Sequence, residues 1–358
     1  MSKFRGLLSR FRGKDEVWFY DKFSPDDAPV PSYSSTPTPT ITPTNTPTPS
    51  LTPGASPSQT PSHTPTPTPT PSGIPDPDDY YTYDIFLPTS TYIYGSPGMT
   101  VTGGLVNIDW GDGNVSLNQS ITKTTSISHT YTSNNQSYRI KLYPPSGQTI
   151  TYINHSYGNE EMVTALINWG DNVCNFTDSS AGNGLTNHFS SCINLTSVPT
   201  SLCNLTGDTV ATQMFSNCTS FNSSNITGWT TTNLIWLQAM FGNCISFNQN
   251  IGGWDVSNVQ DFASMFFGAS SFDQALGNWD LSSVNVIFTS DLANMLDYCN
   301  MSTGNYDTTL VGWAAQAPPS GITLGAQGLT YSLGSAAETA RNTLITTYGW
   351  TINGDSGV

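Results

Sequence analysis

Charge is scarce in this 358-residue chain: Asp, Glu, Lys and Arg together make up 10%. Glutamate is almost missing, with Glu16, Glu160, Glu161 and Glu338 the four present, and histidine is limited to His63, His129, His155 and His188. These shortages narrow the chemistry. A glycosidase needs two carboxylates facing each other across a bond, and the more plentiful aspartates sit mostly beside Gly or Asn, the company kept in turns. No HExxH or GxSxG occurs, and no histidine stands in a metal or nucleophile pattern. The expectation is a non-enzyme with no catalytic residue, no cofactor and no metal ligand.

Paired cysteines are lacking too. Cys174, Cys192, Cys203, Cys218, Cys244 and Cys299 include no CxxC, which removes support for zinc and thioredoxin-type readings. Cys192, Cys218 and Cys244 are spaced by 26 and 26, one position of a repeat, so free, small, buried thiols are expected. No apolar run approaches the length that spans a bilayer. The opening MSKFRGLLSRFRGKDEVWFY is basic but has neither a continuous apolar stretch nor a small-residue cleavage site, so secretion by a leader is not expected.

What charge there is lies unevenly. Lys3, Arg5, Arg10, Arg12, Lys14 and Lys22 are six of the ten basic residues, leaving four basic against 22 acidic residues in the rest of the chain. Such an acidic body repels nucleic acid and anionic membrane, so no nucleic-acid partner and no membrane span are expected. Within residues 1–28, Phe4, Leu7, Leu8 and Phe11 fall on one helical face, followed by Trp18, Phe19 and Tyr20. A peptide this short cannot bury those rings by itself, and exposed apolar clusters mark contacts. These seven residues are therefore the candidate partner-binding anchor. Lipid is a rival docking surface, but four apolar residues on one short helix bind it weakly.

Residues 29–79 are a Pro/Thr-rich stalk in which no core can form, because proline fixes φ and removes the amide donor. A disordered or extended state is expected, and from Thr36 to about Pro71 it reaches roughly 110 Å at ~3.1 Å per residue. Its hydroxyls could carry O-glycans.

Residues 80–157 read as a small β-sandwich. Val106, Ile108 and Trp110 alternate toward one face, as do Tyr138, Ile140 and Leu142, and Trp110-Gly111-Asp112-Gly113 makes a tight turn between them. VNIDWGDGNVS, then ISHTY, then SYRIKLY resembles the polycystic-kidney-disease-type (PKD) domain, an immunoglobulin-like sandwich. That resemblance implies a spacer or adhesion module. His129 is expected to pack within it. Asp109 and Asp112 are expected to shape the turn, with calcium at these carboxylates left open.

From about residue 160 the chain is periodic. Met214-Phe215, Met240-Phe241 and Met265-Phe266 are spaced by 26 and 25, and Trp229, Trp254 and Trp279 by 25 and 25. Phe221, Phe247 and Phe272 keep the same register, Phe189, Cys192 and Leu195 set an earlier copy, and a stretched copy runs from Met295-Leu296 to Trp313. Self-similarity at this period means stacked units that share a core, a solenoid. In the clearest unit, MFGNCISFNQNIGGWDVSNVQDFAS, Ile251, Trp254 and Val256 suit a short strand and Phe262 to Phe267 a helical turn. The tryptophans, at fixed spacing, are read as core before they are read as a sugar-stacking stripe. A ligand face would lie on residues that differ between units.

MFxxCxxFNQxIxxWDVSNV followed by MFxxAxxFDQxLxxWDLSSV resembles the leucine-rich-type repeats of BspA-like bacterial surface proteins. Leu166-Ile167-Asn168-Trp169-Gly170 stands where that family often carries an Ile-x-x-Trp-Gly segment, and GWAAQ, GITLGAQGLTYS and YGWTINGD fit its end. The resemblance implies exposure outside the cell and binding to proteins or glycans. At the C-terminus, Ser335-Ala-Ala-Glu338 is a capping box, opening a helix to about Thr347 that stops at Gly349 and leads into a last strand at Trp350-Thr351-Ile352.

The fold expected is thus mainly β with short helices: an anchoring peptide at 1–28, the stalk at 29–79, a PKD-like sandwich at 80–157, a BspA-like solenoid at 158–316 and a capping unit at 317–358. Surface repeats without a leader need another way out, and a phage particle released by lysis provides one. The expected role is a bacteriophage virion structural protein, a head or tail/neck fibre or decoration. Its head peptide would grip other virion proteins and its solenoid a host cell-surface protein or glycan. A bacterial cell-surface adhesin is the alternative. A homo-oligomer is left open, since no heptads or collagen triplets fix one.

Overall fold

The computed structural model describes residues 80–358, apart from 89–91, 134, 156–159, 172–173, 177–183, 204, 206 and 285–290. The head at 1–28 and the stalk at 29–79, with every anchor residue from Phe4 to Tyr20, lie outside the described residues. The described chain is mainly β, with several small sheets and two short helices.

Its first part is antiparallel. Strands β1 (Tyr81–Leu87), β4 (Leu105–Asp109), β5 (Val115–Ser120), β7 (Gln136–Tyr143) and β9 (Val163–Trp169) form a five-stranded sheet in the order β5-β4-β7-β1-β9. Beside it, β2 (Tyr92–Gly95) pairs with β6 (Ser128–Tyr131), and β3 (Gly98–Val101) with β8 (Ile150–Asn154). The period-2 pattern buries one face: Tyr81, Tyr83, Ile85 and Leu87 of β1 are fully enclosed, as are Val106, Ile108, Ile140 and Leu142. Strand β9 falls on the repeat side of the 157/158 division and yet pairs with β1, while Ala165 bridges onward to Ser197. Sheet and repeats therefore share this strand.

Beyond residue 184 the strands are short and parallel: β10 (Thr209–Val210) with β11 (Leu234–Trp236), β12 (Thr323–Gly325) with β14 (Thr351–Asn353), and β13 (Thr330–Tyr331) with β15 (Ser356–Gly357). Successive units are joined by backbone hydrogen bonds at matching positions. Phe189 N donates to Met214 O, Phe215 N to Met240 O, Phe241 N to Met265 O and Phe266 N to Met295 O, all at 2.9–3.0 Å. The side chains follow. Phe189, Phe215, Phe241 and Phe266 stand ring on ring at 5.7, 5.7 and 5.9 Å with planes within 11°. Those centroid distances exceed the ~4.8 Å between strands, which is the signature of offset stacking, the favoured aromatic geometry. Phe221, Phe247 and Phe272 make a second row at 6.1 and 5.9 Å.

Tryptophan serves as a staple between units. The indole N–H of Trp254 donates to Ile226 O, that of Trp279 to Ile251 O and that of Trp313 to Leu276 O, at 2.9–3.0 Å. A buried indole must find an acceptor, and the carbonyl one unit back supplies it. Cysteine does the same on a smaller scale: Cys218 Sγ donates to Phe189 O (3.0 Å) and Cys244 Sγ to Phe215 O (2.9 Å), and all six cysteines are free and buried.

Two local expectations differ from the structure. Phe262–Phe267 is not helical; it is a tight turn in which Ser264 has φ 56°, followed at once by Gly268 with φ 67°. Left-handed residues recur four apart in every unit (Asn187/Ser191, Gln213/Asn217, Ala239/Asn243, Ser264/Gly268, Asn294/Tyr298), and a chain that reverses handedness at that interval cannot continue a helix. Nor do Ile251, Trp254 and Val256 form a strand; they are buried in irregular chain between turns. The helices are α1 (Thr303–Ala315) and α2 (Ala336–Thr346).

Candidate functional site

The WGDG turn can be built from its backbone. Gly111 has φ 77°, and a β-carbon there would stand 2.4 Å from Arg139 O, so only glycine fits. Asp109 Oδ1 accepts Gly111 N–H at 3.0 Å, and Asp112 Oδ1 accepts Asn114 N–H at 3.1 Å. Asp112 Oδ2 meets His129 Nε2 at 2.7 Å and Asn114 Nδ2 at 3.1 Å. Partial burial works to raise the Asp112 carboxyl, but the hydrogen bonds from His129 and Asn114 outweigh it and the net shift is down. His129 lies flat on Trp110 (4.9 Å, 14°) with Tyr131 edge-on at 4.6 Å, and Tyr131 Oη donates to Trp110 O. Asp109 Oδ1 and both oxygens of Asp112 are thus engaged in shaping the turn. Among the described residues, no cluster of three or more His, Cys, Asp or Glu is arranged to hold a metal.

A second polar cluster was not legible in the sequence. Tyr81 Oη lies 3.0 Å from His155 Nε2 and 2.8 Å from His188 Nε2, all three residues buried. One phenolic proton serves one ring, so one imidazole accepts and the other donates. Neither Nδ1 has a hydrogen-bond partner. Burial lowers the His155 imidazole to about 3, and burial followed by the neighbouring His155 lowers His188 as well, so both rings are neutral. The surroundings are rings: Phe176, Phe189 and Trp169 stand 5.2, 4.6 and 5.6 Å from His188. This is a packed joint without access for substrate. The available signal was that His188 occupies the position held by Met214, Met240, Met265 and Met295 in later units.

On the repeats, the row tryptophans and the cysteines face inward. The Trp and Cys rows are consumed by contacts between units, and burial pushes the thiols up and out of their reactive range, Cys299 to about 11. Outward stand carboxylates such as Asp255 and Asp280 and an amide ladder. Asn222 Oδ1 accepts Asn248 N–H (2.9 Å) and Gln249 Nε2 (2.8 Å), and Asn248 Oδ1 accepts Asp273 N–H (2.9 Å) and Gln274 Nε2 (2.8 Å). The seven anchor residues, from Phe4 to Tyr20, lie outside the described residues. No helix among the described residues is long and apolar enough to cross a membrane.

Residues 184–311, the span of the Phe and Cys rows, match the family described as "Mycoplasma protein of unknown function, DUF285". No curated protein and no solved structure matches the chain.

Proposed function

We propose that this chain is a non-enzymatic display protein, a bacteriophage virion structural protein that acts as a head or tail/neck fibre or decoration. In this reading residues 1–28 dock on other virion proteins and 29–79 form the projecting stalk. Residues 80–157 are a PKD-like sandwich, and 158–316 a BspA-like repeat solenoid, closed by 317–358, that binds a host cell-surface protein or glycan. The observation that carries it is the fate of the repeat side chains: the indoles of Trp254, Trp279 and Trp313, the thiols of Cys218 and Cys244 and the His155–His188 pair are spent on joining units, leaving an outward face of amides, hydroxyls and carboxylates. Such a face suits contact, and weak contacts suffice when many copies act together. Deleting residues 1–28 should release the protein from particles on co-sedimentation while leaving the remainder folded. Absence of the full chain from purified intact particles would overturn the reading.

One observation favours a second reading. The matching family is described from Mycoplasma, a cellular source, which fits a bacterial surface adhesin. Labelling of the protein by a membrane-impermeant reagent on intact producing cells, before lysis, would select it.

A further inference from the structure

The second left-handed position of each unit carries a residue suited to it in four units out of five: Ser191, Asn217, Asn243 and Gly268. The fifth is Tyr298, at φ 58°. A bulky aromatic there is strained by contact between its β-carbon and the following carbonyl, and such strain persists where a function holds it. Tyr298 is also 56% exposed, so burial does not offset the cost. The adjoining row breaks its pattern at the same place. Ser190, Ser216 and Gly242 give way to half-buried Phe267, whose ring meets Tyr298 edge-on at 5.7 Å and 88°.

Between these rings and the rest of the ladder the row carries glycine, and the neighbouring Asn243 amide fills the space a side chain would take. Gly268 stands in the row between Asn243 and Tyr298, and a β-carbon on it would come within 2.4 Å of Asn243 Oδ1. The Asn243 amide, whose Nδ2 donates to Asn217 Oδ1 at 3.0 Å, leans into that space. Asn243 and Tyr298 thus flank Gly268 in one row, an amide on one side and an exposed ring on the other. On the far side Tyr298 N–H donates to Gln327 O (3.0 Å), and Asp297 Oδ1 accepts Gln327 N–H (2.8 Å).

The geometry points to a binding site for a neutral sugar ring, with the exposed Tyr298 ring as the apolar platform, Phe267 bracing it edge-on, and Asn243 as the polar edge. A pyranose has a face of C–H groups that packs on an aromatic ring and a rim of hydroxyls that bond to amides. Two rings amid small polar side chains offer far less than the ~800 Å² per partner of a stable protein interface, but suffice for one or two sugars. Asp297, beside Phe267 in its row, and the acidic excess of the chain select against anionic glycans. The inference rests on the display reading and names its ligand class.

Tyr298→Asn and Phe267→Ser test it, because each installs the residue type that other units carry and so preserves the fold. The probe is a panel of neutral oligosaccharides of glucose, N-acetylglucosamine, mannose and galactose, followed by saturation-transfer NMR with the full chain. At least one should bind, and each variant should weaken it about tenfold or more, while Tyr298→Asn melts no lower than the parent. Binding of no sugar in the panel overturns the inference, as does binding that survives both substitutions. If the variants lose only a protease-sensitive host component, the partner is a protein and the glycan assignment fails. Particle co-sedimentation of the Tyr298→Asn chain separates this failure from failure of the display reading, since docking through residues 1–28 is indifferent to Tyr298.

Discussion

Asp261 shows how a single carboxyl is held inside the ladder. It is buried, and desolvation raises it to about 6; Ala263 N–H (2.8 Å) and Gln238 Nε2 (2.5 Å) work against that shift, and nearby Asp291 adds to it. Because the folded value lies above the ~3.9 of an unfolded aspartate, the stabilisation from binding this proton is full below about pH 4 and is lost as pH rises through 6. Asp261→Asn removes the buried charge, and Gln238 can turn its amide oxygen toward the new donor. At pH 7 the variant should gain about 1–2 kcal/mol, a rise of a few degrees in Tm, and near pH 4 almost nothing. Thermal melts at the two pH values check both halves. The Phe row gives the complementary test. Phe241 touches Phe215, Phe247 and Phe266 at 5.7, 4.1 and 5.9 Å, so Phe241→Ala should cost about 3–5 kcal/mol in urea unfolding. Exposed Ile245, four residues on, should tolerate alanine within about 0.5 kcal/mol.

At the scale of elements, what the sequence makes legible is what local chemistry decides. The Ser half of the capping box forms, and the Glu half is displaced by one residue: Ser335 Oγ accepts Ala337 N–H (3.0 Å) and Glu338 N–H (3.5 Å), while Glu338 reaches past the N-cap to Gly334 N–H (2.7 Å). Ser335→Ala should therefore cost about 1 kcal/mol, visible as faster amide exchange at the start of α2. The last strand begins at Thr351 and leaves Trp350 outside it, its indole donating to Pro319 O. Helix α1 was illegible for a physical reason. Ser302 makes no side-chain cap; the helix start is held instead by Asp273 from the unit before, which accepts Ser302 N–H (2.6 Å) and Asn305 Nδ2 (2.8 Å). With its cap supplied from elsewhere in the fold, the stretch shows in sequence only as a repeat drawn out as far as Trp313. The rows of Phe, Trp and Cys could be read from spacing because identical neighbours must stack, whereas the left-handed turn pairs could not, since Gln213, Ala239 and Ser264 carry no signal for positive φ. The Phe267–Tyr298 pair was hidden for the same reason: its meaning lies in what other units carry at those positions.

At the scale of the whole described chain, the joint between the antiparallel sheet and the repeats decides how the protein meets acid. Tyr81 of β1, His155 after β8 and His188 of the first repeat unit come from three segments, and His155 N–H also donates to His188 O at 3.0 Å. The groups facing the pair are rings and neutral thiols: Tyr81, Tyr83, Phe176, Phe189 and Trp169, with Cys174, Cys192 and Cys203 acting on Tyr81. None of these supplies a negative charge to welcome an imidazolium. Both folded imidazoles are lowered from the unfolded value of ~6.5, His155 to about 3, so their contribution is complete above that unfolded value and is withdrawn as pH falls below it. Each histidine then costs about 1.4 kcal/mol per pH unit in that window, and two outweigh the opposite drift from Asp261. Stability measured by urea unfolding should fall steeply between pH 6 and pH 4. His188→Met, which restores the residue of the later units, leaves one titrating ring. The variant should lose some stability at pH 7 with the Tyr81 hydrogen bond, yet its slope against pH should be about half that of the parent. An unchanged slope would place acid sensitivity outside the joint, because no other described imidazole shares this burial.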